Sequence, residues 1–430
     1  MKKIILTTFF LLFVNHAYAV TLSEALTEAY KNNTDLNAER KNINISKEEL
    51  KISKSNYLPS VTISGSKSQE DTNKLTNRAG TKQTVNDVDP STQSIKIEQT
   101  LIDFGRNADV KKNKIGINLA NIKLLKKEQE VLFQAIEAYS GLVLANQKLK
   151  INQSNLNLLE RQVETDRARL ERGQITLSDL AQSESSLAGA QAKFIQSKNE
   201  IISSKLNYEN IIGPITNIDT LKNNFNFDLM LPSSLSNAID ASKKYNPELI
   251  IAKLEYEQSE KDVTIARSDL SPSASLSFNS SKSDNISSTI GERDKEILKA
   301  TISWPIFKGG KNTASLNKSK NLKNRKKLLL DNALKTNDAN IASAWSSFQV
   351  SKSLLNSVNA QVKAAETANE GITVEYETGL GRSTLDVIQS NSILLSSKIS
   401  LADSERNYLL SQFKLLQAIG LLNSNYLKIQ

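Results

Sequence analysis

The sequence predicts a mainly α-helical protein with a transmembrane β-barrel portion, written as two tandem structural repeats. Three observations lead there. Two long stretches lack proline and space their apolar residues as helices do. Four segments of roughly ten residues alternate apolar and polar, which is the period of a strand. The chain also matches itself at a nearly constant offset.

The chain of 430 residues begins MKKIILTTFFLLFVNHAYAV. Lys2 and Lys3 form a basic start, Ile4 to Val14 an apolar centre, and Ala17-Tyr18-Ala19 a small-x-small cleavage site. Residues 1–19 therefore read as a signal peptide, too short at the centre for a comfortable membrane span. The mature chain is expected to start at Val20 and leave the cytoplasm. Val20 is not a cysteine, so no lipid anchor is expected there.

Composition narrows the chemistry. There is no cysteine, and the one histidine, His16, lies in the leader. The mature chain so lacks disulfides, Ser-His and Cys-His nucleophile pairs, and most zinc sites. No glycine loop or paired-acid motif stands out, and neither an enzyme nor a cofactor is expected. The net charge is +9, or +7 without Lys2 and Lys3. Basic runs such as LKNRKKLLL (322–330) sit inside helix-patterned, exported segments. They read as solvated faces, with no nucleic-acid partner expected.

The seven prolines stand at 59, 90, 214, 232, 247, 272 and 305. The stretches 91–213 and 306–430 are thus free of a residue that costs a helix interior about 3 kcal/mol. Leu132, Ile136, Tyr139 and Val143 form one apolar stripe, and Ile341, Trp345, Phe348, Leu355, Val358 and Val362 another. Between Gly105 and Gly173 a helix would run about 100 Å at about 1.5 Å per residue. That length suits a coiled-coil tube or stalk.

The repeats align closely. TLSEALTEAYKNNTDL (21–36) matches SLSNAIDASKKYNPEL (234–249) at an offset of 213, and Pro59 falls on Pro272. LIDFGR (101–106) matches PIFKGG (305–310), and Gly213 falls on Gly420. The expected plan is repeat 1 over 20–213, a linker over 214–233, repeat 2 over 234–420 and a tail over 421–430. Each repeat holds a helix, a strand pair (about 59–101 and 272–306), and a long helical hairpin (about 105–213 and 309–420). The hairpin tips carry related polar turns, GQITLSDLAQS (173–183) and GLGRSTLDVIQS (379–390).

In the strands, Val61 and Ile63 alternate with Thr62 and Ser64; Ile95 and Ile97 with Lys96 and Glu98. In the second repeat Ala274, Leu276 and Phe278 alternate with serines, and Leu298, Ala300, Ile302 and Trp304 with Lys299, Thr301 and Ser303. A small sheet packed on helices would show this pattern too. The export signal and the aromatics Tyr57, Phe104, Trp304 and Phe307 near strand ends favour a membrane strand, apolar outward and polar inward. Polar stretches 68–93 and 282–295 read as extracellular loops. Four strands cannot close a barrel, and lipid tolerates no open edge, so several chains would have to pool them.

At this point the sequence resembles the TolC family of outer-membrane factors over essentially its whole mature length. The carriers are TLSEALTEAYKNN, YLPSVTISG, TLIDFGR with its repeat WPIFKGG, and the carboxy-terminal run from YETGLGRSTLDVIQS to LLQAIG. The resemblance implies a homotrimer with a twelve-stranded barrel in the outer membrane and a twelve-helix tunnel in the periplasm. It implies a passive, gated conduit for a drug-efflux pump or a type I secretion system. The implied partners are a periplasmic adaptor, an inner-membrane transporter and outer-membrane lipid. A periplasmic adaptor or a surface stalk would also be exported and helical. The first would carry one hairpin with lipoyl-like flanks, and the second would not need repeated tip acids.

By the same resemblance, Arg172, Gly173, Gln174, Thr378, Gly379 and Leu380 would meet the adaptor. Asp386 would line the aperture, with Gln389 where some relatives place a second acid. A closing latch would pair Arg382 with Ser178 and Tyr376 with Asp179. From local chemistry alone, Asp179 and Asp386 also suit the positive ends of helices.

Overall fold

The computed structural model describes residues 20–70, 75–76, 82–83, 88–222, 229–287 and 290–429. The expected signal peptide lies outside them, as do parts of the linker and of the first strand-to-strand connection. The chain forms two compact units, and each draws on both repeats. The first takes the residues up to Ala38, Leu125–Asn246 and those from Thr336 onward; the second takes Glu39–Leu124 and Pro247–Lys335.

The helices follow the repeat order: α1 (Leu22–Asn32), α2 (Thr34–Ser55), α3 (Arg106–Glu171), α4 (Leu177–Ile211), α5 (Leu235–Tyr245), α6 (Pro247–Ser268), α7 (Lys311–Glu377), α8 (Thr384–Ile419) and a final short α9 (Ser424–Leu427). The single helix expected at the head of each repeat is in fact two. Asn33 and Asn246, equivalent at the offset of 213, adopt extended backbone and end α1 and α5. At Asn246 the following proline enforces this by excluding the helical region for its predecessor.

In the first unit the apolar stripes face inward. Leu26 and Ala29 of α1 pack with Leu132, Ile136, Tyr139 and Leu142 of α3 and with Phe413 and Leu416 of α8. Each large side chain so buried contributes roughly 1.5–3 kcal/mol. Tyr139 keeps its hydroxyl satisfied, donating to the carbonyls of Val20 (2.8 Å) and Lys222 (3.0 Å). Burial pushes its phenol well up, and pushes that of neighbouring Tyr208 up to about 12. Ile341, Phe348, Leu415 and Ile419 form a second cluster with Ala238. Gly420 ends α8 at φ +96°, and a Cβ there would collide with the Tyr245 carbonyl. Gly420 is therefore a packing requirement as well as a cap.

The second unit holds four antiparallel strands: β1 (Ser60–Lys67), β2 (Ser91–Ile102), β3 (Ser273–Ser287) and β4 (Ile290–Ser303), in the order β1-β2-β3-β4. A short pairing of Leu75–Thr76 with Lys82–Gln83 stands apart. The expected loop over 282–295 is corrected here. The ladder extends into it from both sides as far as Ser287 and Ile290, pairing Lys282 with Asp294 and Asp284 with Glu292. Its residues are polar on both faces, which hides the strand period without weakening backbone pairing.

Register sorts the faces. Ser60, Glu98, Ser277 and Lys299 sit side by side, and so do Val61, Ile97, Phe278 and Leu298. One face is thus polar. The other exposes a band including Ile63 (78 %), Leu298 (71 %) and Ile302 (80 %). Exposed Trp304 and Phe307 follow β4, and exposed Phe104 follows β2. Arg106 fastens the strand end to the start of α3. Its guanidinium donates to the carbonyls of Asn56 (2.9 Å), Thr100 (2.9 Å) and Leu101 (2.8 Å), and lies 4.6 Å from the Tyr57 ring centroid. Much of the basic run on α7 is matched locally: Lys326 pairs with Glu255 (2.6 Å) and Lys323 with Glu260 (3.4 Å), both on α6.

Candidate functional site

Both helix tips belong to the first unit, and both are built by the same local rules. At the first, α3 ends in a left-handed glycine, Gly173 at φ +70°. The Gln174 amide returns to the Arg169 carbonyl (2.9 Å), a terminating bond of the Schellman type. At the second, Gly379 and Gly381 both take positive φ, +77° and +83°. The extra residue of the second turn is accommodated by that additional glycine. The reversals occupy 172–176 and 378–383, so Ser178, Asp179 and Asp386 lie in the first turns of α4 and α8 rather than in the bends.

Asp179 and Asp386 each complete a capping box. The Thr176 amide donates to Asp179 Oδ2 (2.8 Å), and the Ser383 amide to Asp386 Oδ2 (2.9 Å). In return, the amides of Asp179 and Asp386 donate to the side-chain oxygens of Thr176 and Ser383 (both 3.2 Å). Bonds from the backbone amide first, and from the cap hydroxyl second, hold both carboxyls below the usual carboxylate range. Both acids therefore stay ionised at neutral pH.

Neither expected latch pair forms within the chain. Arg382 turns to Glu375 (Nε to Oε2, 2.6 Å) rather than to Ser178, and this bond raises its pKa. The Tyr376 hydroxyl goes to Asp166 Oδ1 (3.2 Å) and Thr384 Oγ1 (3.0 Å) rather than to Asp179. The physical reason is competition, since the Asp179 carboxylate already serves its own helix start. Arg172, Gly173, Gln174, Thr378, Gly379, Leu380 and Gln389 are exposed, and Asp386 is partly so.

Asp166 is the residue that the sequence reading missed. It is fully buried. Its carboxylate accepts from Ser183 Oγ (2.5 Å), from the Tyr376 hydroxyl and from Gln162 Nε2 (3.0 and 3.1 Å). The Arg169 guanidinium lies 4.3 Å from the Tyr376 ring centroid. One acid thus joins α3 and α4 of the first hairpin to α7 of the second, and through Tyr376 to Thr384 of α8. A signal was available: Leu156, Leu159, Val163 and Asp166 step by three, four and three, placing a carboxylate in the apolar seam.

The described residues contain no metal-binding cluster and no helix long and apolar enough to cross a membrane. A one-sided apolar sheet together with two long helical hairpins, each ending in a capped polar tip, defines a class: the helical-hairpin channel proteins. Comparison narrows it. The Outer membrane efflux protein family matches residues 25–213 and 238–421, and the chain belongs to that family of export channels of the Gram-negative outer membrane. The outer membrane efflux protein BepC of Brucella suis is 27 % identical over 416 residues, covering 96 % of this chain and 88 % of BepC. The alkaline protease secretion protein AprF of Pseudomonas aeruginosa is 21 % identical over 98 % of this chain and 89 % of its own. The fold matches the Campylobacter jejuni CmeC outer membrane channel with a TM-score of 0.80 at 17 % identity, over 93 % of this chain and 85 % of that one. The open-state MtrE channel of Neisseria gonorrhoeae gives 0.78 at 17 %, over 94 % and 90 %.

Proposed function

We propose that three copies of this chain pool their strands into one closed barrel and their hairpins into one tunnel. The assembly is a passive, gated outer-membrane conduit of an efflux pump or a type I secretion system. The observation that carries this reading is the sheet: β1 and β4 each have one unpaired edge, and one face is apolar and exposed. Such edges are not tolerated in lipid, and closure through further copies removes them. The names of the relatives, efflux for BepC and protease secretion for AprF, support both branches.

The tips are the docking end for a periplasmic adaptor, which links the conduit to an inner-membrane transporter. Leu177 and Leu380, each 72 % exposed, give both tips an apolar contact beside Arg172, Gly173, Gln174, Thr378 and Gly379. Asp386, with Gln389 one turn further on, lines the aperture and favours cations there. The latch is the Tyr376–Asp166 bond, flanked by Arg382, Ser178 and Asp179. Cross-linking in native cells followed by membrane fractionation should give a trimer in the outer membrane. Recovery as a soluble periplasmic monomer would sink the reading.

A further inference from the structure

The strand segment GERDKE (291–296) separates its charges by face. Alternate residues of a strand point to opposite sides. Arg293, Lys295 and Lys299 therefore share the polar face of β4, while Glu292, Asp294 and Glu296 share the other. Register fixes which face is which: Arg293 pairs with Ser283, Lys295 with Ser281 and Lys299 with Ser277. One strand further, Thr92 and Ser94 continue the first two rows. These neighbours are hydroxyls, and they bond one another: Thr92 to Ser283 at 3.0 Å, Ser94 to Ser64 at 2.8 Å. They can support a bound anion but cannot neutralise a cation. Glu98 is the carboxylate on that face, and Lys96 holds it at 2.6 Å. The three cations of β4 are exposed and have no ion-pair partner among the described residues.

Closure through β1 adds no acid from that strand. The free edge of β4 can meet only the other free edge of the sheet, that of β1 in the next copy. β1 reads SVTISGSK and contains no acid. We propose that Arg293, Lys295 and Lys299, repeated around the barrel, form an anion-binding belt on its inner wall, with Arg293 and Lys295 toward the loop side and Lys299 toward the helix side. This inference rests on the trimeric channel reading above. Its ligand class is a soluble polyanion rich in phosphate or carboxylate. Arg293 offers a planar fork to such groups, and the two lysines offer mobile point charges. The belt gives the conduit a second filter, opposite in sign to the tip acids, and makes it receptive to anionic cargo.

The test uses the purified full chain in planar bilayers, with inorganic tripolyphosphate added on the loop side. In about 0.1 M KCl, where screening is incomplete, tripolyphosphate should block the wild-type current. The triple variant Arg293→Gln, Lys295→Gln, Lys299→Gln should need about ten-fold more blocker. Should the triple variant fail to assemble, Lys295→Gln alone should need roughly two-fold more. Block of the variants at the wild-type concentration overturns the belt. A wild-type chain that forms no conducting channel overturns the trimeric reading, and the belt with it.

Discussion

At the scale of single residues, the tip acids close the starts of two helices. Asp179 and Asp386 are placed where helix starts need an acceptor, and the caps keep both ionised. The sign of the pH dependence follows. A carboxyl whose pKa is lower in the folded chain than in the unfolded one adds stability at every pH above its unfolded value. That stability is lost as pH falls through the folded value. Helicity at the tips should therefore be level above about pH 5 and drop in acid. The drop should be absent from an Asp179→Ala, Asp386→Ala variant, as circular dichroism across pH would reveal. Both caps could be read in the sequence, because Thr176 and Ser383 stand three residues before an acid. The Asp166 partnership was not, because it joins positions far apart in the chain through packing of separate helices.

At the scale of elements, the hairpin seams are apolar with polar layers let into them. Asp166 occupies a seam position of α3; Ser183 and Ser197 occupy seam positions of α4, and Asn369 one of α7. Asn152 donates to Ser197 (2.6 Å) and Asn369 to Ser390 (2.7 Å), each tying one hairpin leg to the other. Polar groups at seam positions fix register at some cost in stability. The strands obey the simpler rule of period two, and that rule is directly testable. Ile302 lies on the apolar face and Thr301 on the polar one. Arginine at a lipid-facing midplane site costs about 2–4 kcal/mol, and far less on an inner wall. Leu298→Arg, on the same face and nearer the middle of β4, should therefore lower the yield of assembled, heat-modifiable protein, while Thr301→Arg should not. Equal yields would mean that the faces are reversed or that the sheet does not meet lipid.

At the scale of the whole molecule, the two repeats do not become two lobes. Each compact unit takes parts from both, so the tip-side parts of the first and second hairpins are held within one unit. Tyr376 and Asp166 form a join between them, and it is made of a phenol and a carboxylate that other donors also serve. A hydrogen bond of this kind contributes about 0.5–1.5 kcal/mol net. In the proposed trimer three such bonds would bias a two-state closure by an amount within reach of the proposed docking partner. Tyr376→Phe should raise single-channel conductance in planar bilayers. Wild-type conductance in that variant would show that the join braces the tips and does not latch them.

The sequence by itself determined what depends on short-range pattern. Helix and strand periods, the turn glycines and the capping acids are all consequences of residues close together in the chain. The tertiary structure decided what depends on competition among distant groups. It continued β3 and β4 beyond the apolar band, because backbone pairing needs no apolar side chain. It turned Tyr376 away from Asp179 and toward Asp166, because a carboxylate already held by its own helix start has less to offer than one buried among hydroxyls. It also put three cations of one strand on a face without a free acid, a consequence of register that no single segment contains.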